Sequence, residues 1–181
     1  MVSTPYLEHG KNTDFSKLRT SKVKYINELM DRSAWKMTLK IQQATKFVLR
    51  KWIFDSENFQ VMNYGLGGHI GQHVDETNVE DIDDLRIITF MAYASDVPAG
   101  GRTAFPQLGL SVEPVRGSAL YWFNVGPRMN LDSRVVHLGC PVLFGNKWIA
   151  NKWIKFPAQY EHYPCTTNHD QHYSIMARMT K

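Results

Sequence analysis

The chain has 181 residues, of which 43% are hydrophobic and 21% charged, a composition typical of one soluble globular domain with a sizeable core. It contains no uncharged apolar run of about 18 residues, so no membrane span is expected, and residues 1–11 are too polar for a signal peptide. The net charge is +4, but the basic residues form loose clusters typical of solvated helix faces, and no nucleic-acid partner is predicted.

The first part of the chain predicts a tail and then helical structure. Residues 1–15 are expected to be an N-terminal tail, and residues 16–30 to include a short strand and helix. A clearer helix is predicted over about residues 32–50, with Asp31 or Ser33 as its N-cap. Its apolar stripe, at helical spacing, is Met37, Ile41, Ala44 and Val48.

From residue 59 the pattern is that of a β protein. Predicted strands are separated by turn formers, and they cover residues 59–64, 86–94, 108–112, 117–125, 134–138, 142–144 and 147–156. Their spacing predicts a mainly β fold, a double-stranded β-helix or jelly-roll barrel, with flanking N-terminal helices over an outer sheet face. Residues 76–85 are predicted to form an exposed acidic loop, and residues 166–181 a polar C-terminal tail.

The central motif of the chain is His73-x-Asp75. In an extended chain, side chains two residues apart point the same way, so the imidazole and the carboxylate converge. They can supply two of the three ligands of a 2-His-1-carboxylate site, which binds Fe(II). An isolated pair of this kind is often a chance occurrence.

A third ligand must come from another histidine. His137 lies in strand-like surroundings downstream of the pair and is the best candidate by context. A helix would align His69 with His73 as a zinc-binding pair, but four nearby glycines argue against a helix, so His69 is expected to be exposed. The remaining candidates lie in the polar C-terminal part: His162, His169 and His172.

Lys147 follows His137 by ten residues and opens the last predicted strand. A lysine in an apolar strand is costly to bury unless an anion pairs with it. Lys147 and Lys152 are five residues apart, so they face opposite sides of a strand, and one can point inward while the other faces solvent. An inward lysine could neutralise the distal carboxylate of a dicarboxylic co-substrate. The alternative is that both lysines are solvated at a strand end.

Together, His73-x-Asp75, His137 and Lys147 resemble the motif of the 2-oxoglutarate, Fe(II)-dependent dioxygenases. Four further segments are similar to the catalytic domain of collagen prolyl 4-hydroxylase alpha subunits, and the likeness covers residues 16–165. The segments are Asn63-Tyr64-Gly65-x-Gly67-Gly68, Gly100-Gly101-x-Thr103-x-Phe105-Pro106, Cys140-Pro141-Val142-Leu143-x-Gly145-Asn146-Lys147-Trp148 and Asn151-Lys152-Trp153. Since the family's N-terminal regions are missing, the chain is expected to be a fragment or a short member.

The resemblance implies a role for each matching residue. The catalytic set would be His73, Asp75 and His137 as Fe(II) ligands and Lys147 as the partner of the far carboxylate of 2-oxoglutarate. Tyr64 and Thr103 would help to bind that co-substrate, and Arg86 and Trp153 would line the peptide pocket. Core packing is the alternative for Trp153 and for Trp148.

The resemblance also implies a cellular setting. Cys140 and Cys165 match a pair that is disulfide-bonded in such domains, which implies the endoplasmic reticulum lumen, although composition alone is equally compatible with two reduced thiols. Protein disulfide isomerase is a typical beta subunit of the animal enzymes, and L-ascorbate keeps such enzymes reduced.

The implied reaction is hydroxylation of peptidyl proline at C4 in collagen-like or proline-rich chains, with O2 and 2-oxoglutarate giving succinate and CO2. One segment departs from the family, because Ile70-Gly71-Gln72 replaces the usual Tyr-Glu-Pro before the first ligand. Ile70 cannot form the hydrogen bond of a tyrosine. Two alternatives therefore stay open: a 2-oxoglutarate oxygenase with another substrate, or a non-catalytic binding or assembly subunit.

Overall fold

The computed structural model describes residues 20–47, 56–76, 78–126, 128–157 and 159. The described part contains one α-helix, α1 (Arg32–Thr45), and eleven strands. The strands are β1 (Lys22–Ile26), β2 (Phe59–Tyr64), β3 (Ile70–His73), β4 (Arg86–Tyr93), β5 (Ala99–Gly100), β6 (Thr103–Phe105), β7 (Leu110–Val112), β8 (Ala119–Phe123), β9 (His137–Gly139), β10 (Val142–Phe144) and β11 (Lys147–Lys155).

The strands form two main antiparallel sheets and a short pair. The larger sheet has the order β1-β2-β11-β4-β8, and the smaller one has the order β3-β9-β6-β7. Strands β10 and β5 pair separately. This arrangement confirms the predicted mainly β, jelly-roll class. The prediction of more than one flanking N-terminal helix is not confirmed within the described residues. Residues 20–31 contain β1 and a turn, and α1 is the only α-helix of the described part.

Most predicted strands occur with adjusted ends. The segment predicted as 108–112 begins only at Leu110, because Pro106–Leu108 is a 3-10 turn that ends at Gly109 with φ 60°. The segment predicted as 134–138 begins at His137, after a second 3-10 turn over Ser133–Val135. Strands β5 and β6 were not predicted. The two predicted tails, 1–15 and 166–181, lie outside the described residues.

Helix α1 is shorter than predicted. Asp31 is its N-cap and accepts hydrogen bonds from the backbone N–H groups of Ser33 at 2.8 Å and Ala34 at 2.9 Å. The helix ends at Thr45 because Lys46 adopts a left-handed conformation, with φ 64°. The buried stripe is Ala34, Thr38, Ile41 and Thr45, so Ala44 was placed wrongly on the buried face, and Val48 lies outside the described residues.

The predicted solvent position of one strand lysine was wrong. Lys152 lies on the face of β11 opposite to Lys147 and is fully buried. Its Nζ donates to Glu28 Oε2 at 2.6 Å and to the Glu57 carbonyl oxygen at 2.5 Å. The Thr38 hydroxyl of α1 donates to the same Glu28 oxygen at 2.6 Å. Both faces of β11 are covered, one by α1 and the turn before it and the other by the residues that pack around Ile149.

Two apolar clusters lie on the two faces of the larger sheet. The outer cluster includes Ala34 and Ile41 of α1, Phe59, Ile88 and Ile154. The inner cluster consists of Met62, Tyr64, Met91, Tyr93, Phe105, Trp122, Val142 and Ile149. Among the described residues, no helix has the length and apolar character needed to cross a membrane. The inner cluster surrounds the cavity in which the predicted site residues meet.

Candidate metal centre and co-substrate cavity

The three predicted metal ligands lie together. His73 ends β3 and stands directly opposite His137, which begins β9, while Asp75 follows β3 by two residues. The Nε2 atoms of His73 and His137 each lie 3.7 Å from a different Asp75 oxygen. One ligand atom from each residue falls within 4.8 Å of the others. The antiparallel pairing of β3 with β9 therefore brings together residues that are 62 or more positions apart in the chain.

Backbone carbonyls orient both imidazoles. His73 Nδ1 lies 2.8 Å from the Gly71 oxygen, and His137 Nδ1 lies 3.0 Å from the Val135 oxygen. Because a carbonyl only accepts, each Nδ1 carries the proton and each Nε2 presents a lone pair to the shared space. Two neutral imidazole nitrogens and one carboxylate are the donor set that suits non-haem Fe(II). The residues fit this metal.

Asp75 is held as a carboxylate. Burial opposes its ionisation, but in the metal-free protein the positive charge of the His137 and His73 imidazoles in their protonated form, together with a hydrogen bond from Thr89, outweighs that effect, so the pKa of Asp75 lies below its usual range. The Thr89 hydroxyl donates to Asp75 Oδ2 at 2.6 Å. The ligand is therefore in the charged form that a divalent cation needs.

Lys147 lies at the other end of the same cavity. It is 3% exposed, and its Nζ donates to Thr103 Oγ1 at 3.2 Å. Burial lowers the pKa of Lys147 to about 8, an effect that the nearby Cys140 opposes. Within the described residues no carboxylate forms an ion pair with Lys147. Because a buried lysine without an anionic partner in the protein is costly, we expect this lysine to bind an anionic ligand.

Tyrosines complete the lysine end. Tyr64 stands directly opposite Lys147 on β2, and the rings of Tyr64 and Tyr93 lie 5.8 and 5.6 Å from its Nζ. The Tyr93 hydroxyl donates to Thr103 Oγ1 at 2.8 Å. Sequence reasoning identified Tyr64 and Thr103 but missed Tyr93, because its position in β4 indicates only that it faces inward. Burial raises the pKa of Tyr93 to about 12, so it stays a neutral donor.

The triad and the lysine line one cavity, which together with its mouth holds about 450 Å³ of space free of protein atoms. Its wall combines His73, Asp75, His137, Thr103 and Lys147 with apolar side chains of the inner cluster.

Residues 59–155 of the chain match the 2OG-Fe(II) oxygenase superfamily, which is more than half of the chain. The chain belongs to this superfamily. Among curated relatives, the oxygenase is 36% identical over 166 residues to prolyl 4-hydroxylase subunit alpha-1 of Rattus norvegicus, covering 88% of the chain and 30% of that protein. It is 38% identical over 156 residues to subunit alpha-3 of Homo sapiens, covering 83% and 28%. The chain thus spans less than a third of these relatives.

Solved structures agree with the fold. The oxygenase superimposes on the viral collagen prolyl hydroxylase of Paramecium Bursaria Chlorella virus-1, solved as a 2OG complex, with a TM-score of 0.61 and 28% identity. The match covers 76% of this chain and 79% of the viral one. A Pseudomonas putida prolyl-4-hydroxylase matches in fold, with a TM-score of 0.58 and 18% identity.

The two predicted peptide-pocket residues occupy different positions in the oxygenase. Trp153 is buried and lines the cavity, whereas Arg86 packs its guanidinium over the Trp153 ring at 4.3 Å and is not part of the cavity wall. Arg86 forms a two-point ion pair with Glu57, and its Nη1 donates to the Asp75 carbonyl at 3.0 Å. A substrate contact of Arg86 stays a prediction, while its contact with the metal-ligand segment is observed.

Residues 76–85 were predicted to be an exposed acidic loop, and this is wrong for the first of them. Glu76 is 5% exposed, and its carboxylate accepts hydrogen bonds from the backbone N–H groups of Asn78 and Arg86. The other acids of this loop are exposed, namely Glu80, Asp81, Asp83 and Asp84. Glu76 is buried because it satisfies backbone donors at the start of β4.

Other candidates lie away from the triad. His69 is half-buried, not exposed as predicted, and its backbone N–H donates to the Thr20 hydroxyl at 3.0 Å. Trp148 is 45% exposed, so core packing was the wrong alternative for it. Cys140 is half-buried and forms no disulfide within the described residues, and Cys165 lies outside them, so the disulfide stays a prediction. The three histidines of the C-terminal part also lie outside them.

Proposed function

We propose that this oxygenase hydroxylates peptidyl proline at C4 in collagen-like or proline-rich chains, coupled to oxidative decarboxylation of 2-oxoglutarate to succinate and CO2. One observation carries the proposal: a buried His-Asp-His cluster and a buried lysine share one cavity. The similarity to prolyl 4-hydroxylase alpha subunits and to a viral collagen prolyl hydroxylase supports proline as the target.

In this proposal His73, Asp75 and His137 would hold Fe(II). When bound, the metal would activate O2, with electrons supplied by 2-oxoglutarate. The Lys147 ammonium would pair with the distal carboxylate. Thr103 accepts from both Lys147 and Tyr93, so its own proton is left to donate to that carboxylate. The fixed lysine end would direct the 2-oxo end of the co-substrate toward the triad.

The cavity wall would also keep water from the reacting atoms. Met62, Met91 and Ile149 line the cavity between the two polar ends and are each less than 5% exposed. A dry wall strengthens the ion pair of Lys147 with a carboxylate and limits side reactions. Trp153 lines the same cavity, and the proline ring would bind beside it.

Succinate release with Fe(II), 2-oxoglutarate and L-ascorbate across a panel of proline-rich peptides tests the function. We expect release above the peptide-free rate with at least one peptide, and mass spectrometry should place one added oxygen on proline C4. His73→Ala should abolish release, and Lys147→Ala should raise the KM for 2-oxoglutarate. Release that never exceeds the His73→Ala background would contradict the assignment as an enzyme.

The similarity to the alpha subunits supports further parts of the proposal. These are a location in the endoplasmic reticulum lumen, protein disulfide isomerase as a beta subunit, L-ascorbate as reductant, and a Cys140–Cys165 disulfide. Mass spectrometry of non-reduced tryptic peptides tests the disulfide. A linked pair containing both cysteines supports it, and two alkylated free cysteines contradict it.

A second candidate function is oxidation of a different substrate by the same centre. Ile70, which replaces the family's tyrosine, lies on the cavity wall opposite Gly139 of β9. An apolar side chain there cannot hydrogen-bond a peptide. If proline peptides are the native substrates, Ile70→Tyr should change their KM. A failure of Ile70→Tyr to improve turnover of any prolyl peptide would favour the second candidate.

A further inference from the structure

Asn151 is a buried polar residue that the proposed chemistry has not used. It is 7% exposed, and its Oδ1 has no hydrogen-bond partner among the described residues. Leaving a buried carboxamide oxygen without a donor is costly in an isolated protein. Such a group in a cavity wall points to a ligand that supplies the donor.

The position of Asn151 places it between the two ends of the cavity. Alternate residues of β11 face inward, and Lys147, Ile149, Asn151 and Trp153 all line the cavity. Asn151 lies opposite Gln60 of β2 and Met91 of β4. It therefore stands one inward position from Trp153 and two from Lys147.

A row of polar side chains leads from Asn151 toward the edge of the larger sheet. Gln60 also lines the cavity, is 3% exposed, and donates through Nε2 to the Tyr25 hydroxyl at 2.6 Å. Tyr25 lies on the edge strand β1 and is 48% exposed. The neighbouring inward row on β2, β11 and β4 is Met62, Ile149 and Tyr93, so the two amides stand beside largely apolar side chains.

The hydrogen-bonding groups of the reactants indicate which of them can donate to Asn151 Oδ1. At neutral pH 2-oxoglutarate offers only acceptor oxygens, and O2 offers no donor, so neither satisfies an amide oxygen. A peptide does, because a secondary amide offers one donor and one acceptor, complementary to a carboxamide. The target proline has no N–H of its own, so the donor must belong to a neighbouring residue.

We propose that Asn151 is a specificity-determining residue that hydrogen-bonds a secondary peptide group next to the target proline. This assignment rests on the proposed function. It predicts that the enzyme recognises a backbone N–H group beside the proline as well as the proline ring.

The test compares Asn151→Leu with wild type on three peptides: an unmodified substrate and two versions N-methylated on the residue before or after the target proline. In wild type, one of the two methylations should lower kcat/KM about 5- to 10-fold, the effect of one neutral hydrogen bond. Asn151→Leu should turn over the unmodified peptide at that same lowered rate and lose the sensitivity to methylation. The Asn63→Leu protein, altered at a position outside the cavity wall, should keep the wild-type 2-oxoglutarate consumption without peptide.

Stability provides a second readout. Because the leucine removes an unpaired buried oxygen at similar volume, the ligand-free Asn151→Leu protein should melt about 2–4 °C higher than wild type. Asn63→Leu is the matched control, since Asn63 Nδ2 is also buried without a partner but is not on the cavity wall. It should keep the wild-type response to methylation.

Two results would overturn the assignment. They are a wild type insensitive to both methylations, or an Asn151→Leu protein that keeps the wild-type sensitivity. A wild type that binds Fe(II) but turns over no proline peptide would overturn the proposed function, and this assignment with it.

Discussion

Arg86, which lies next to the triad, positions the segment that contains Asp75. Arg86 was expected to contact a peptide, but in the structure its guanidinium links Glu57 to the carbonyl of Asp75 and stacks on Trp153. Its backbone N–H also donates to Glu76. One side chain thus holds the segment that carries the carboxylate ligand. Groups that support metal ligands in this way commonly affect metal affinity.

Arg86→Lys should therefore weaken Mn(II) or Fe(II) binding about tenfold in the absence of peptide, because lysine cannot form the fork to Glu57 while also reaching Asp75. Isothermal titration with Mn(II) measures this. Arg102→Lys is the control, since Arg102 pairs with the exposed Glu113 on the surface. Unchanged Mn(II) affinity combined with a raised peptide KM would show that Arg86 serves the substrate instead.

In the proposed function, Lys147 would make co-substrate binding depend on pH. Its pKa is lowered to about 8 in the ligand-free protein, so it is charged below that pH and loses its proton as the pH rises. The affinity for 2-oxoglutarate should be steady below pH 8 and fall above it, by up to about tenfold per pH unit. Titrations between pH 6.5 and 9.5 with Mn(II) present check this.

Lys147→Arg should remove this pH dependence, because the guanidinium stays charged throughout the range. If Lys147→Arg shows the same decline as wild type, another group controls the pH response.

At the scale of elements, the turn that leads into α1 is connected to the central strand of the larger sheet by a buried ion pair. Lys152 of β11 reaches Glu28 in the turn between β1 and α1, and also holds the carbonyl of Glu57. Glu57 in turn pairs with Arg86. The covering helix is therefore connected, through the sheet, to the segment that carries Asp75.

Lys152→Met should destabilise the fold by about 3–5 kcal/mol, because it leaves the Glu28 carboxylate buried without its partner. Glu28→Gln combined with Lys152→Met should recover much of the loss. Urea unfolding measures both. Lys155→Met is the control. It should lower the free energy of unfolding by less than about 1 kcal/mol, since Lys155 pairs with Asp84, whose side chain is 67% exposed. A Lys152→Met cost as small as that of Lys155→Met would contradict this assignment.

The helix N-cap provides a smaller test. Asp31→Ala should cost about 1 kcal/mol, since the Asp31 carboxylate accepts from two free backbone N–H groups of the first turn. Ser33→Ala should cost close to nothing, because Ser33 is exposed inside the helix. The sequence allowed either residue as the cap, and equal costs for the two variants would contradict the observed choice.

At the scale of the molecule, the site joins elements from both sheets. The histidines come from β3 and β9 of the smaller sheet, and Lys147 comes from β11 of the larger one. Asp75 lies between them and accepts a hydrogen bond from Thr89 of β4. A metal bound to the triad should therefore stabilise the whole fold.

Mn(II) at 100 times its Kd should add about 2.7 kcal/mol to the free energy of unfolding, because it binds only the folded protein. Urea unfolding with and without Mn(II) measures this gain. His73→Ala should show none of it. An equal gain in His73→Ala would place the stabilising metal elsewhere.

The sequence by itself indicated most of the strands and the jelly-roll class, because local alternation and turn formers are properties of neighbouring residues. It offered His73 and Asp75 as a ligand pair by their spacing, while the choice of His137 and the role of Lys147 came from the resemblance to the 2-oxoglutarate dioxygenases. Only the tertiary structure decided that Lys152 is buried, that Glu76 is internal, that Tyr93 orients Thr103 and that Arg86 holds Asp75. Each of these depends on which element covers which face of β11 and on partners that are ten to 124 positions away in the chain. No local pattern encodes such a contact, because the energy of burying a charge is set by the partner that folding brings to it.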